Sequence, residues 1–198
     1  MRELLELVYL GFVRPRSVFR RIREGVPWWW AAAVFGGVQI FGQTLGAMSL
    51  DGLQSCLGGV LAEMPEGLLR YGWGLYFPLA LAYWWVKTAV WHLMAEFLGG
   101  EGRGTNLFFS LGFAGLPLTV GYAGAGLVRL VGDAYWLLAP GFWLLAGLWT
   151  LGLEVMAVQE TYGLSGGRAL LVVALPVVVL GGLGLVALVS LGLAWQGG

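Results

Sequence analysis

Residues 169–195 read ALLVVALPVVVLGGLGLVALVSLGLAW. The run carries no charge, and it exceeds the ~20 helical residues that cross a bilayer core. Four more apolar runs precede it, at about 27–49, 72–98, 107–128 and 135–158. Backbone polar groups in lipid must pair within the chain, which leaves helices or a closed barrel. The runs do not alternate with the short period of barrel strands. The expected fold class is therefore all-α: a polytopic bundle of five transmembrane helices over 27–198. A basic, cytoplasmic or interfacial segment, 1–26, comes before it.

Composition agrees. Of the 198 residues, 59% are hydrophobic and 11% are charged, and the mean hydropathy is +0.79. Soluble domains carry about 25% charged residues, so these charges are too few to cover a soluble surface. Eleven Trp and seven Tyr suit the aromatic belts of membrane interfaces. A single cysteine, Cys56, excludes an intrachain disulfide and any multi-cysteine metal site. The apolar stretch near residue 10 is short, carries Glu6 and leads into arginines, so a cleavable signal is not expected.

Orientation follows from Lys and Arg. With the N-terminus inside, Arg2, Arg14, Arg16, Arg20, Arg21, Arg23, Arg103 and Arg168 are cytoplasmic, and Arg70 and Arg129 lie outside. Eight against two is a positive-inside bias. It predicts a multi-pass protein of the inner (plasma) membrane with an extracytoplasmic C-terminus. Residues 14–25, RPRSVFRRIREG, hold five of the arginines beside the first run. Phe19 and Ile22 are three apart, which turns both toward the acyl boundary while Arg14, Arg16, Arg20, Arg21 and Arg23 meet anionic headgroups. The plainer reading makes these arginines topology determinants only.

Ionisable residues inside a membrane are costly and mark candidate sites. The only histidine, His92, is four residues before Glu96, on one helix face. It lies about 9 Å in from Leu98. Glu154 falls in the same half of the bilayer. Together His92, Glu96 and Glu154 suit a divalent cation such as Zn²⁺, or a proton relay; a plain His92–Glu96 contact is the structural alternative. Lys87 lies about 16 Å in, half a turn from the Glu96 face. A lysine there needs a partner or an aqueous cavity. The pair Gln39 and Gln43 is at similar depth and is its expected partner. No cofactor is otherwise indicated. The chain lacks the phosphate-loop, nucleophile-elbow and zinc-protease motifs, so an enzyme is not expected. GGEGRG at 99–104 follows an apolar run rather than a strand and reads as a helix exit and turn. The arginines are juxtamembrane, so nucleic acid is not an expected partner.

Three stretches carry a family resemblance: RPRSVFRRI at 14–22 with PWWW at 27–30, WHLMAEFLGGEGRGTNLFFSLGFAGLP at 91–117, and LWTLGLEVMAVQETYGLSGGRALLVVALP at 148–176. The chain resembles the Yip1-domain family of five-span membrane proteins, in its bacterial branch. The resemblance implies an integral membrane protein. Eukaryotic members act in Golgi and endoplasmic-reticulum trafficking and bind small GTPases of the Rab type. Their acidic-proline motif and long cytosolic tail have no counterpart here, so that role is not carried over. Two functions stay open. One is non-enzymatic membrane organisation through lipid and protein contacts. The other is a homo-oligomeric channel or transporter for an ion or small polar solute, lined by Lys87, His92, Glu96 and Glu154.

Overall fold

A computed structural model describes residues 2–47, 66–129, 132 and 135–196. Side chains are described over 3–42, 77–128, 132, 137–179, 181–184, 186–187 and 190. The side chains of Gln43, Arg70 and Arg129, and Cys56 as a whole, lie outside the described residues.

The described residues form these helices: α1 Arg2–Val13, α2 Pro15–Gly25, α3 Trp28–Ala47, α4 Glu66–Phe97, α5 Gly104–Ala114, α6 Pro117–Arg129, α7 Tyr135–Tyr162 and α8 Gly166–Gln196. The described residues contain no strand. Three segments among them are long and apolar enough to cross a membrane: Gly104–Val128, Leu137–Tyr162 and Gly166–Gly184. They correspond to the last three apolar runs. α3 and α4 occupy the places of the first two.

Proline positions shape these elements. The third run is two helices, not one kinked helix. Pro117 opens α6, where its missing N–H costs least. Gly115 and Leu116 make the break, and their carbonyls accept the amides of Leu118 and Thr119 at 3.0 Å each. Pro140 and Pro176 lie inside α7 and α8, and Pro78 lies inside α4.

The outer faces of the long helices are apolar. Leu137, Leu144 and Leu145 on α7 and Val177, Val178 and Leu183 on α8 are exposed. A soluble fold would cover such faces with charge; a membrane protein leaves them to lipid. Close helix approach needs small residues. The tightest case joins α6 to α7, where a Cβ on Gly124 would fall 2.2 Å from Phe142.

Two apolar cores hold the bundle. One gathers Leu7, Val18, Phe19, Ile22, Trp30, Ala31, Phe113, Leu153 and Ala157 from α1, α2, α3, α5 and α7. The other gathers Trp84, Trp91, Ala95, Leu107, Val158, Tyr162 and Val172 from α4, α5, α7 and α8. Trp84 is stacked between Phe35 and Phe108, with ring centroids 4.0 and 3.8 Å away.

The first core corrects the reading of the basic segment. Phe19 and Ile22 do not face the acyl boundary. Both are 2% exposed, and with Val18 they bury against the bundle. The apolar stripe of α2 finds protein before it finds lipid. Its arginines keep the outward face.

Candidate functional site

α4 and α7 both run toward the basic end of the bundle, and they carry the ionisable residues at two levels. At the deeper level the Lys87 ammonium pairs with the Glu154 carboxylate. The two side chains are 19% and 12% exposed. Two aromatic rings on α4 flank the ammonium, Trp91 at 4.5 Å and Tyr83 at 5.9 Å from their centroids. Spacing explains this: Tyr83, Lys87 and Trp91 are four residues apart and share a face. A cation over an aromatic face gains ~0.5–2 kcal/mol, and the carboxylate neutralises it.

The pair borders a cavity of about 410 Å³ between α3, α4, α5, α6 and α7. Gln39, Trp84, Tyr122 and Thr150 also line it. Gln39 thus shares the cavity with Lys87, as depth suggests, and the ammonium is paired with Glu154. Thr150 precedes Glu154 by one turn, a spacing visible in the sequence.

Nearer the basic end, the Tyr162 hydroxyl lies 2.6 Å from His92 Nδ1. Nε2 of the same ring lies 3.5 Å from Glu96 Oε1. One neutral tautomer meets both contacts: Tyr162 donates to Nδ1, and Nε2–H faces the carboxylate. Three glycines of the 99–104 loop make room for these rings. A Cβ on Gly100 or Gly102 would approach Tyr162 to 2.8 or 2.6 Å. One on Gly104 would approach the His92 ring to 2.9 Å. Gly99 has φ 82° and Gly163 has φ 66°, turning the chain out of α4 and α7. The Glu101 amide then donates to the Tyr162 carbonyl at 3.2 Å. GGEGRG is a packed clasp around Tyr162 and His92.

His92, Glu96 and Glu154 therefore do not form one site. Glu154 is eight residues before Tyr162, roughly 12 Å along α7. That is the level of Lys87, so the carboxylate is satisfied there. Among the described residues no group of three His, Cys, Asp or Glu is placed to hold a metal ion. The residue that sequence reasoning missed is Tyr162, whose hydroxyl takes the role expected of Glu154.

The basic end draws the arginines together. Arg20 pairs with Glu160 at 3.2 Å, and Arg23 donates to the Glu160 carbonyl at 3.4 Å. Arg21 pairs with Glu6 at 3.2 Å, which ties α2 to α1. Arg168 donates to the Leu98 carbonyl at 3.4 Å. Arg23 and Arg103 line one polar cleft with Asn106 and Gly163. Arg14 and Arg16 are exposed at the start of α2.

Membrane-length helices, apolar outer faces and inward polar groups define a polytopic helical membrane protein. The family model for the Yip1 domain matches residues 10–188. The chain belongs to the Yip1 domain family. Neither the curated proteins nor the solved structures contain a match.

Proposed function

We propose that this Yip1-domain protein is a non-enzymatic membrane organiser, a five-span protein of the inner (plasma) membrane with its basic end in the cytoplasm. Its partners are anionic headgroups and other membrane proteins, including further copies of itself. The observation that carries this reading is the docking of α2. Val18, Phe19 and Ile22 anchor it to the bundle. Its arginines stay on the outer face, at the end where Arg103 and Arg168 also lie. A rigidly held basic face attracts anionic lipid by about 1 kcal/mol per residue near the surface. In-cell crosslinking through residues placed on α2 tests the organiser role. Specific crosslinks to membrane proteins, lost when the α2 arginines are neutralised, are expected. Their absence from an abundant, folded protein would sink it.

A second reading is a homo-oligomeric channel or transporter that uses Lys87, His92, Glu96 and Glu154. The cavity beside Lys87 and Glu154 favours it. Against it, the two charges are engaged with each other, and His92 is engaged with Tyr162 and Glu96. Ion flux in proteoliposomes decides: flux above lipid background that disappears in Lys87→Ala would favour this reading over the organiser.

A further inference from the structure

The arginines at the basic end differ in what answers their charge. Arg20 and Arg21 pair with Glu160 and Glu6. Arg23 and Arg103 have no ion pair among the described residues. Arg23 reaches only the Glu160 carbonyl, at 3.4 Å. These two guanidiniums line one cleft of about 650 Å³, between the end of α2, the loop into α5 and the end of α7. Glu101 lines it too, yet its carboxylate pairs with neither arginine. Two like charges therefore border one space without an ion pair to cancel either.

The backbone fixes the shape of this cleft. Gly102 is in its wall, and a Cβ there would fall 2.6 Å from the Thr161 carbonyl oxygen. Gly99 and Gly163, with φ 82° and 66°, turn the chain beside it. On the other side, α2 is anchored by Val18, Phe19 and Ile22. Arg23 and Arg103 are thus carried on elements that are in place before a ligand arrives, which lowers the cost of binding. The Asn106 carboxamide lines the same cleft and has no hydrogen bond among the described residues. Guanidinium forks meet oxyanions two oxygens at a time. A phosphate monoester carries about two negative charges and three acceptor oxygens, enough to answer both arginines and the carboxamide. Glu101 repels the same ligand, which gives its removal a definite sign.

We infer that this cleft binds a phosphate monoester, with Arg23 and Arg103 on its oxygens and Asn106 as a further donor. Two sources supply that chemistry: a phosphatidic acid headgroup at the membrane surface, or a soluble phosphorylated metabolite. The inference goes beyond the diffuse attraction proposed for α2, because it requires one saturable site. It rests on that reading only in placing this end of the bundle in the cytoplasm.

The test is isothermal titration of the intact protein in a neutral maltoside detergent. The probes are dioctanoyl phosphatidic acid and, separately, glycerol 3-phosphate, with dioctanoyl phosphatidylcholine as the control lipid. Expected is saturable binding of one equivalent of a monoester probe. Binding of both monoesters assigns the site to soluble esters as well as lipid, and binding of the lipid alone assigns it to the headgroup. Arg23→Gln and Arg103→Gln should each weaken the binding roughly tenfold, the worth of a hydrogen bond to a charged group. Glu101→Gln should tighten it about threefold by removing a like charge. Melting temperature is followed for all three variants, and if Arg23→Gln fails to fold the other two decide. Four results would overturn the inference: no saturable binding of either monoester to folded wild-type protein, equal binding of phosphatidylcholine, no weakening in Arg103→Gln, or no tightening in Glu101→Gln. Such a result beside a lipid enrichment that still depends on Arg14 and Arg16 would leave the α2 reading standing. Saturable, arginine-dependent binding without that enrichment would do the reverse.

Discussion

The carboxylate of Glu154 meets the ammonium of Lys87 across 67 residues of chain, from α7 to α4. Neither charge would be tolerated alone at this depth, and each is the reason the other is there.

Removing one partner therefore strands the other. Lys87→Ala or Glu154→Ala should destabilise the protein by about 3–5 kcal/mol. Replacing both together, as Lys87→Met with Glu154→Leu, should recover most of that loss, because no charge is left uncompensated. Denaturation in detergent, followed by tryptophan fluorescence, measures all three. If the double variant is as unstable as the singles added together, the pair is not the stabilising unit.

The glycine clasp makes a second claim that a double-mutant cycle can check. Gly104→Ala places a methyl 2.9 Å from the His92 ring. Overpacking of this kind costs about 1–3 kcal/mol. In a His92→Ala background the methyl has room, and the cost should fall below about 0.5 kcal/mol, the range of an unstrained surface change. Equal costs in both backgrounds would mean that the ring does not occupy the space the glycine leaves.

The helices were legible in the sequence because lipid imposes one simple rule: a span is a long apolar run. Residues 137–162 and 166–184 follow it. Partner choice was less legible. His92, Glu96 and Glu154 looked like a set because they share a membrane half. Depth along two parallel helices separates them by a turn or more, and only the bundle's register reveals this. Tyr162 is not legible as a site residue, because a tyrosine at a span end ordinarily reads as an interfacial anchor. The α2 stripe misled for a related reason. Two apolar residues three apart, Phe19 and Ile22, suit a bilayer surface or a protein groove equally, and the pattern alone does not choose between them. Lys87 itself is informative: its depth demands a partner, and α7 supplies one in Glu154.

The metal expectation now makes a sharper prediction. His92 and Glu96 offer two donors, and Tyr162 already holds one face of the imidazole. Zn²⁺ sites use three or four protein ligands. Protein purified without chelator and then washed should retain well under one equivalent of Zn²⁺ by elemental analysis. An equimolar content that His92→Ala abolishes would restore the site.

The basic face should report itself through salt. Arg14 and Arg16 are exposed, and Arg20 and Arg21, though paired with Glu160 and Glu6, remain at least half exposed. Exposed charges act through solvent, where the screening length falls from about 10 Å at 0.1 M salt to about 3 Å at 1 M. Enrichment of a labelled anionic lipid around the protein in nanodiscs, read by energy transfer from its tryptophans, should therefore drop steeply over that range. Arg14→Gln with Arg16→Gln should remove roughly 2 kcal/mol of attraction at low salt, at about 1 kcal/mol per residue. That corresponds to roughly a thirtyfold loss in local preference, with a flatter salt response. The fold should be unaffected, because both side chains are exposed, the Arg14 backbone bonds to Leu10 and Ser17 survive the substitution, and the α2 stripe stays buried. A wild-type enrichment that ignores salt would show that the arginines set orientation alone. An enrichment that follows salt but survives the double substitution would move the contact to Arg23 and Arg103, whose shared cleft lies at the same end of the bundle.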